Sequence, residues 1–274
     1  DGCRYDLQLK GSGPTPYSRG GDGRAPLGPV LREYIVSEAM AALDIPTTRA
    51  LSAVSSGDQV FRETPLPGAI LARVAKSHIR IGTFEFFAAQ RNHTELELLV
   101  EHALTRHYPE RANDKNPALA LLEAVIDKQA ELIASWQQTG FIHGVMNTDN
   151  MLISGETIDY GPCAFMDDYD PSKVYSSIDR KGRYAYKNQP HIAQWNLTCL
   201  AQSLLPLIHS DETTALNLAQ QAIDQFPDKF IRANTTGMAK KLGLSDISSS
   251  AVPVVEDLFK LMEQHQLDFT LTFR

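Results

Sequence analysis

A change in hydrophobic period divides this chain. Residues 4–10, Arg-Tyr-Asp-Leu-Gln-Leu-Lys, alternate at every second position, placing Tyr5, Leu7 and Leu9 on one face and Lys10 on the other. Residues 47–62 alternate again, and Ile70-Leu-Ala-Arg-Val-Ala75 reads as a further strand. Between them, from Pro29 to Leu43, apolar residues recur three and four apart until Pro46, which predicts one helix. Beyond Phe84-Glu-Phe-Phe87 the pattern is helical almost throughout. That order predicts an α+β chain: a small antiparallel β lobe with one helix, residues 1–90, then a mainly helical lobe, residues 91–274.

The helical part has its own punctuation. Glu95 to Leu104 is amphipathic, and residues 105–116 read as a polar linker. Asn116-Pro117 supplies an N-cap and a first-turn proline for a long helix through Leu119, Leu122, Val125, Ile126, Leu132, Ile133 and Trp136, stopped by Gly140. Residues 162–190 show little periodicity, and a stretch that long marks a functional or mobile loop. Four helical segments follow, near 191–208, 212–225, 228–242 and 251–265, with Trp195, Leu200 and Leu204 core by spacing.

Charge and cysteine content narrow the function classes. Net charge is −7, so a nucleic-acid backbone is not an expected partner. Residues 1–90 hold 10 Lys and Arg against 9 Asp and Glu, leaving 16 against 24 for the rest, so a basic site for a small anion fits best in the first third. No apolar run approaches the roughly 18 residues of a membrane helix, so no membrane partner is expected. Cys3, Cys163 and Cys199 are widely spaced with no metal-ligand pattern, which predicts a reducing, cytoplasmic setting.

Chemistry-bearing residues concentrate in Phe141–Gly161, FIHGVMNTDNMLISGETIDYG. Met151-Leu-Ile153 and Thr157-Ile158 flank Ser154-Gly-Glu156, which predicts a short hairpin. Asn150 would then enter it and Asp159 leave it, two oxygen ligands suited to a hard divalent cation, with Asp149 alongside. Taken singly, each piece also reads as an ordinary polar turn.

The first third offers further candidates. Residues 11–29 contain six Gly and four Pro, with Arg19, Asp22 and Arg24 among them. Such a loop can bring backbone amides to phosphate, or simply cross the surface; no GxGxxG or GxxxxGK[ST] spacing is present. Glu33 follows Lys10 by 23 residues, either as a solvated helix residue or as the ion-pair partner of a nucleotide-binding lysine. Arg73 inside an apolar strand needs a partner, an edge ion pair or an anionic ligand; Arg80 follows seven residues later.

The order Lys10, Glu33, long helix, His143, Asn150, Asp159-Tyr-Gly161 matches that of protein-kinase parts. Val145, however, stands where kinases carry the catalytic aspartate. Longer strings sharpen the likeness: Lys10-Gly-Ser-Gly-Pro-Thr-Pro-Tyr-Ser-Arg19, Gly21-Asp-Gly-Arg24, Ser77-His-Ile-Arg-Ile-Gly-Thr-Phe84, His143-Gly-Val-Met-Asn-Thr-Asp-Asn150 and Thr157-Ile-Asp-Tyr-Gly-Pro162. With these the chain resembles the selenoprotein O family. The resemblance implies a protein-kinase-like, two-lobe pseudokinase fold that binds ATP in a reversed orientation and transfers AMP to Ser, Thr or Tyr hydroxyls of protein substrates. By the same resemblance Lys10 would contact phosphate, held by Glu33. Asp22, Gly23, Arg73 and Arg80 would bind the nucleotide, and Asn150 and Asp159 would hold Mg²⁺ or Mn²⁺, with Asp159 also touching ATP. Asp149 would be the general base. Uridylyl transfer, an ordinary kinase using Asp149, and a non-catalytic ATP-binding scaffold are the other readings. Family members carry an upstream Gly-rich segment and a carboxy-terminal cysteine or selenocysteine, so this chain reads as an internal or truncated piece.

Overall fold

The computed structural model describes residues 4–18, 20–244 and 251–274; Cys3 and Arg19 lie outside the described residues. It is α+β, a small antiparallel sheet with a mostly helical remainder, and its packing separates two units. The first takes the chain up to His78 together with Glu156–Gly161, and the second takes Ile79–Gly155 with Pro162–Arg274.

In the first unit β1 (Asp6–Lys10) and β2 (Ala25–Pro26) both pair antiparallel with β4 (Pro65–Ala75), which also pairs with β3 (Arg49–Phe61). α1 (Leu27–Ala42) packs against this sheet. The core is small: Ala25, Val30, Ala50, Ala69 and Leu71, with Leu27, Tyr34 and Ala53 against it. Glu38 of α1 clamps Arg49 of β3 through both carboxylate oxygens, at 2.9 and 2.6 Å, and takes the Ala50 amide at 3.1 Å.

β1 alternates as its sequence requires, but its apolar side faces outward. Leu7 and Leu9 are 60% and 52% exposed, while the alternate residues Gln8 and Lys10 turn toward Arg73 and Glu33. A buried ion cluster outweighs the hydrophobic preference of that short strand, because charges removed from water need partners more than leucines need burial.

The expected hairpin at Met151–Ile158 does not form. Leu152 bridges antiparallel to Arg80, and Thr157 bridges parallel to Thr47, each within its own unit. Gly155, at φ 72°, makes the turn, with its amide on the Leu152 carbonyl at 3.2 Å. Thr157 then donates its amide and its hydroxyl to Pro46 O at 2.8 and 3.0 Å, and its carbonyl takes the Thr48 amide at 3.0 Å. The backbone groups that a hairpin would have paired are satisfied elsewhere.

The second unit is built around α4 (Pro117–Gln138), after α2 (Ile81–Ala89) and α3 (His93–His107). Asn116 caps α4 by accepting the Leu119 amide at 3.2 Å, and Gly140, at φ 68°, turns the chain after it. Leu121, Leu122, Val125, Ile126, Leu132, Ile133 and Trp136 are all buried, because α3, α5, α6 and α7 cover α4 on several sides. β5 (Phe141–Ile142) pairs with β6 (Ala164–Phe165). α5 (Gln189–Ile208), α6 (Glu212–Ile223), α7 (Phe226–Lys241), α8 (Ala251–His265) and α9 (Phe269–Thr272) complete the unit. Leu200 and Leu204 are fully buried as their spacing predicts, but Trp195 is 45% exposed. Its ring lies under the Arg183 guanidinium, 4.7 Å away, rather than in the core. No helix among the described residues is long and apolar enough to cross a membrane.

Candidate active site

The first unit gathers four of the predicted site residues into one ion cluster. Lys10 Nζ donates to Glu33 Oε2 at 2.6 Å and to Asp159 Oδ1 at 2.5 Å. Arg73 donates from Nε to Glu33 Oε1 at 2.6 Å, pairs with the same oxygen through its terminal nitrogen, and reaches Asp159 Oδ1 at 3.5 Å. Gln8 Oε1 accepts from Arg73 at 2.8 Å. Glu33 and Arg73 are 1% and 2% exposed, so neither is a solvated surface charge. The Lys10 and Asp159 side chains keep 29% and 33% of their surface accessible, so these two can meet a ligand. Their arrangement follows from the fold. Gln8 and Arg73 are register partners across β1 and β4, and Glu33 sits on the face of α1 that packs on the sheet.

Asp159 occupies the left-handed region at φ 69°, uncommon outside glycine but favoured by Asp and Asn. The segment carrying it is pinned to this unit by Thr157 and by Tyr160, whose hydroxyl hydrogen-bonds Thr47 Oγ1 in a buried contact.

Asp22 and Gly23 lie in a separate part of the same unit, where the Gly-rich loop is closed by a bridge between Ser12 and Arg24. Asp22 holds Arg62 through two oxygens at 2.8 and 3.1 Å and caps the Arg24 amide at 3.0 Å. The Arg62 hydrogen bonds, above all, pull the Asp22 carboxyl down to a pKa of about 2. Gly23 takes φ 62°, and a Cβ there would lie 2.0 Å from the Gly13 carbonyl oxygen, so only glycine fits.

The remaining candidates belong to the second unit. Asn150 ends a 3₁₀ turn, Thr148–Asn150, and donates its carboxamide to Val145 O at 2.9 Å, which closes the loop from His143. His143 itself is fully buried and stacks on Trp136, with ring centroids 5.3 Å apart, so it is a structural residue of the loop. The loop is tied from outside by carboxamides. Gln189 donates to Phe141 O at 2.9 Å and accepts the His143 amide at 3.0 Å, and Asn196 donates to Met146 O at 2.9 Å. Asp149 lies against the first turn of α2: a Cβ added at Gly82 would sit 2.5 Å from its Oδ1. Arg80 starts that helix, its amide donating to Thr83 Oγ1 at 3.1 Å.

Sequence reasoning did not assign Arg62, Gln8, Gly82, Gln189 or Asn196. Gly82 was readable only as part of a motif string, and the others are linked to their partners across tens of residues with no local pattern.

Among the described residues no three His, Cys, Asp or Glu side chains gather as a metal site. The proposed ligands, one carboxamide and one carboxylate, are hard oxygens of the kind that leave most of a magnesium-like ion's shell to water and phosphate.

Similarity to known proteins gives the class first. Proteins named protein nucleotidyltransferase YdiU match along the chain: 61% identity over 274 residues in Rhodopseudomonas palustris (strain BisB18), covering 100% of this chain and 56% of that protein. The counterpart in Shouchella clausii (strain KSM-K16) is 57% identical over the same length, with the same coverage. That of Methylorubrum extorquens (strain PA1) is 61% identical over 271 residues, covering 99% of this chain and 54% of the relative. The chain thus spans about half the length of the curated relatives it matches. A family model described as protein adenylyltransferase SelO matches residues 1–274, and the chain belongs to that family.

Proposed function

We propose that this chain carries the nucleotide-handling and catalytic residues of a metal-dependent protein adenylyltransferase with a kinase-like, two-lobe organisation. Residues 1–90 form the nucleotide lobe in this reading and residues 91–274 the catalytic lobe. The observation that carries it is the Lys10–Glu33–Arg73–Asp159 cluster in a family whose model is described by that activity. Val145 in place of a kinase's aspartate supports nucleotidyl over phosphoryl transfer.

The substrates are ATP and a Ser, Thr or Tyr hydroxyl of a protein. Lys10 and Arg73 set positive charge against phosphate oxygens, with Glu33 fixing both cations so that little reorganisation is needed. Asp22, Gly23 and Arg80 contribute further nucleotide contacts. Asp149 takes the proton of the acceptor hydroxyl as its oxygen forms a bond to the α-phosphorus, and the bond to the departing pyrophosphate breaks. Asn150 and Asp159 would hold Mg²⁺ or Mn²⁺, which would supply positive charge against the phosphates.

ATP labelled at either the α- or the γ-phosphate tests this directly. Label on protein from the α-position, abolished by Asp149→Ala while nucleotide binding persists, is the expected result. Label from the γ-position alone makes the chain an ordinary kinase, and binding without any transfer makes it a scaffold.

A further inference from the structure

The loop between β6 and α5 carries charge that the reading above does not use. Residues 91–274 hold 16 Lys and Arg, and five of these, Lys173, Arg180, Lys181, Arg183 and Lys187, fall between positions 173 and 187, alongside a single acidic residue, Asp179. Outside that stretch the second lobe holds 11 basic against 23 acidic residues. A basic island in an acidic surface selects its partners by charge.

Asp179 does not neutralise the island. Its two oxygens accept the Arg183 and Tyr184 amides at 2.8 and 2.7 Å, so it serves the loop's own backbone. Asn188 donates to Gly182 O at 2.7 Å, and the Tyr186 and Lys187 amides bond Lys173 O and Pro171 O at 3.2 and 2.9 Å. Lys173 and Lys187 both act on Asp170, whose carboxyl is held below its usual range first by its Ser172 hydrogen bonds and then by these cations. Arg180, Lys181 and Arg183 are exposed, and among the described residues no carboxylate forms a salt bridge with any of them. Arg183 is oriented by its place over the Trp195 ring, and Ile178, five residues earlier in the same loop, is 79% exposed. A cation fixed on an aromatic ring that is itself 45% exposed suits a polypeptide better than a free ion.

The island is also anchored to the loop that bears Asp149. Its last residues run directly into Gln189, which bonds Phe141 and His143, and Trp195 adjoins Asn196, which bonds Met146. We propose that Arg180, Lys181, Arg183, Ile178 and Trp195 form a docking surface for an acidic stretch of the protein substrate, carrying it close to its acceptor hydroxyl. This rests on the adenylyltransferase reading and specifies its substrate class.

The test uses the whole chain and does not depend on transfer. Fluorescence anisotropy compares a labelled peptide of alternating Glu and Ser with its Lys and Ser counterpart and with a single-stranded oligonucleotide of the same length. The acidic peptide should bind at least about tenfold more tightly than the basic one, and added salt should weaken it. Arg180→Glu with Lys181→Glu should remove that preference while nucleotide affinity and the circular dichroism spectrum stay as they were; Arg183→Ala should reduce it by a smaller factor. Equal binding of the two peptides, or an unaltered preference in the charge-reversed variant, overturns the proposal. Oligonucleotide binding as tight as that of the acidic peptide overturns it in favour of a nucleic-acid surface. Peptide selectivity without α-label transfer refutes only the adenylyltransferase reading, and transfer without selectivity refutes only the docking surface.

Discussion

Two regions hold their polar residues by different forces. Around Glu33 the first unit uses charge: two cations and two carboxylates meet, with Glu33 and Arg73 almost wholly out of water. Around His143 the second unit uses neutral carboxamides, with Gln189, Asn196 and Asn150 each bonded to loop backbone. An ion cluster can exchange one partner for another of like charge, as a phosphate-binding lysine must. A carboxamide tie instead fixes a backbone path independently of pH and salt, which suits a loop that positions a base. On the proposed function, the chemistry asked of each region explains the choice better than stability does, since a buried ion pair is a poor stabiliser in itself.

The sharpest way to break this contrast is Glu33→Ala, which leaves Arg73 buried without its carboxylate and should cost about 3–5 kcal/mol in a denaturant titration. Glu33→Leu combined with Arg73→Met should cost less than that single change; if it costs more, the pair stabilises the fold. Next in size, Gln189→Leu removes the hydrogen bonds to the His143 amide and the Phe141 carbonyl, for a loss of about 1–3 kcal/mol. That loss should be the same in low and high salt. Gly82→Ala is aimed at Asp149 and not at the fold. Alanine raises helix propensity by up to about 1 kcal/mol, so stability should hold while transfer falls at least about tenfold, about 1.4 kcal/mol in the barrier. Undiminished transfer would detach Asp149 from the chemistry.

The smallest effect belongs to an exposed pair, Asp22 with Arg62, which has charge without burial. Its folded pKa of about 2 is depressed, below the roughly 3.9 of an unfolded aspartate. Its contribution is therefore complete above about pH 4 and fades as pH falls toward the folded value. A carboxyl NMR titration should give a midpoint near 2, returning to the ordinary aspartate range in Arg62→Ala.

Much of the fold was readable because period reports local geometry. The alternation of residues 4–10 and 70–75, the wide apolar surface of α4 and its Asn116 cap all became the expected elements. Which side of β1 faces inward was not readable, since it is decided by Arg73, 65 residues from Gln8. The hairpin at 151–158 failed for the same reason: its turn chemistry is local, but Thr47 and Arg80 claim its flanks from a distance. Spacing also placed Trp195 in the core, although a cation 12 residues away holds it at the surface. In the ion cluster, the sequence named Lys10, Glu33, Arg73 and Asp159 by order and likeness, whereas Gln8 as a fifth member needed the strand register.

Asp159 shows what a doubly constrained position means for mutational tolerance. Its backbone is left-handed, which glycine, asparagine and aspartate accept readily, and its Oδ1 receives Lys10. Glycine keeps the turn and gives up the carboxylate. Asparagine keeps the turn and the reach and gives up the charge. Glutamate keeps the charge, but pairs it with a longer side chain and a backbone it adopts reluctantly. Every replacement sacrifices one requirement to meet the other, so in a saturation library position 159 should return a single amino acid, with each rejected variant failing for a reason of its own.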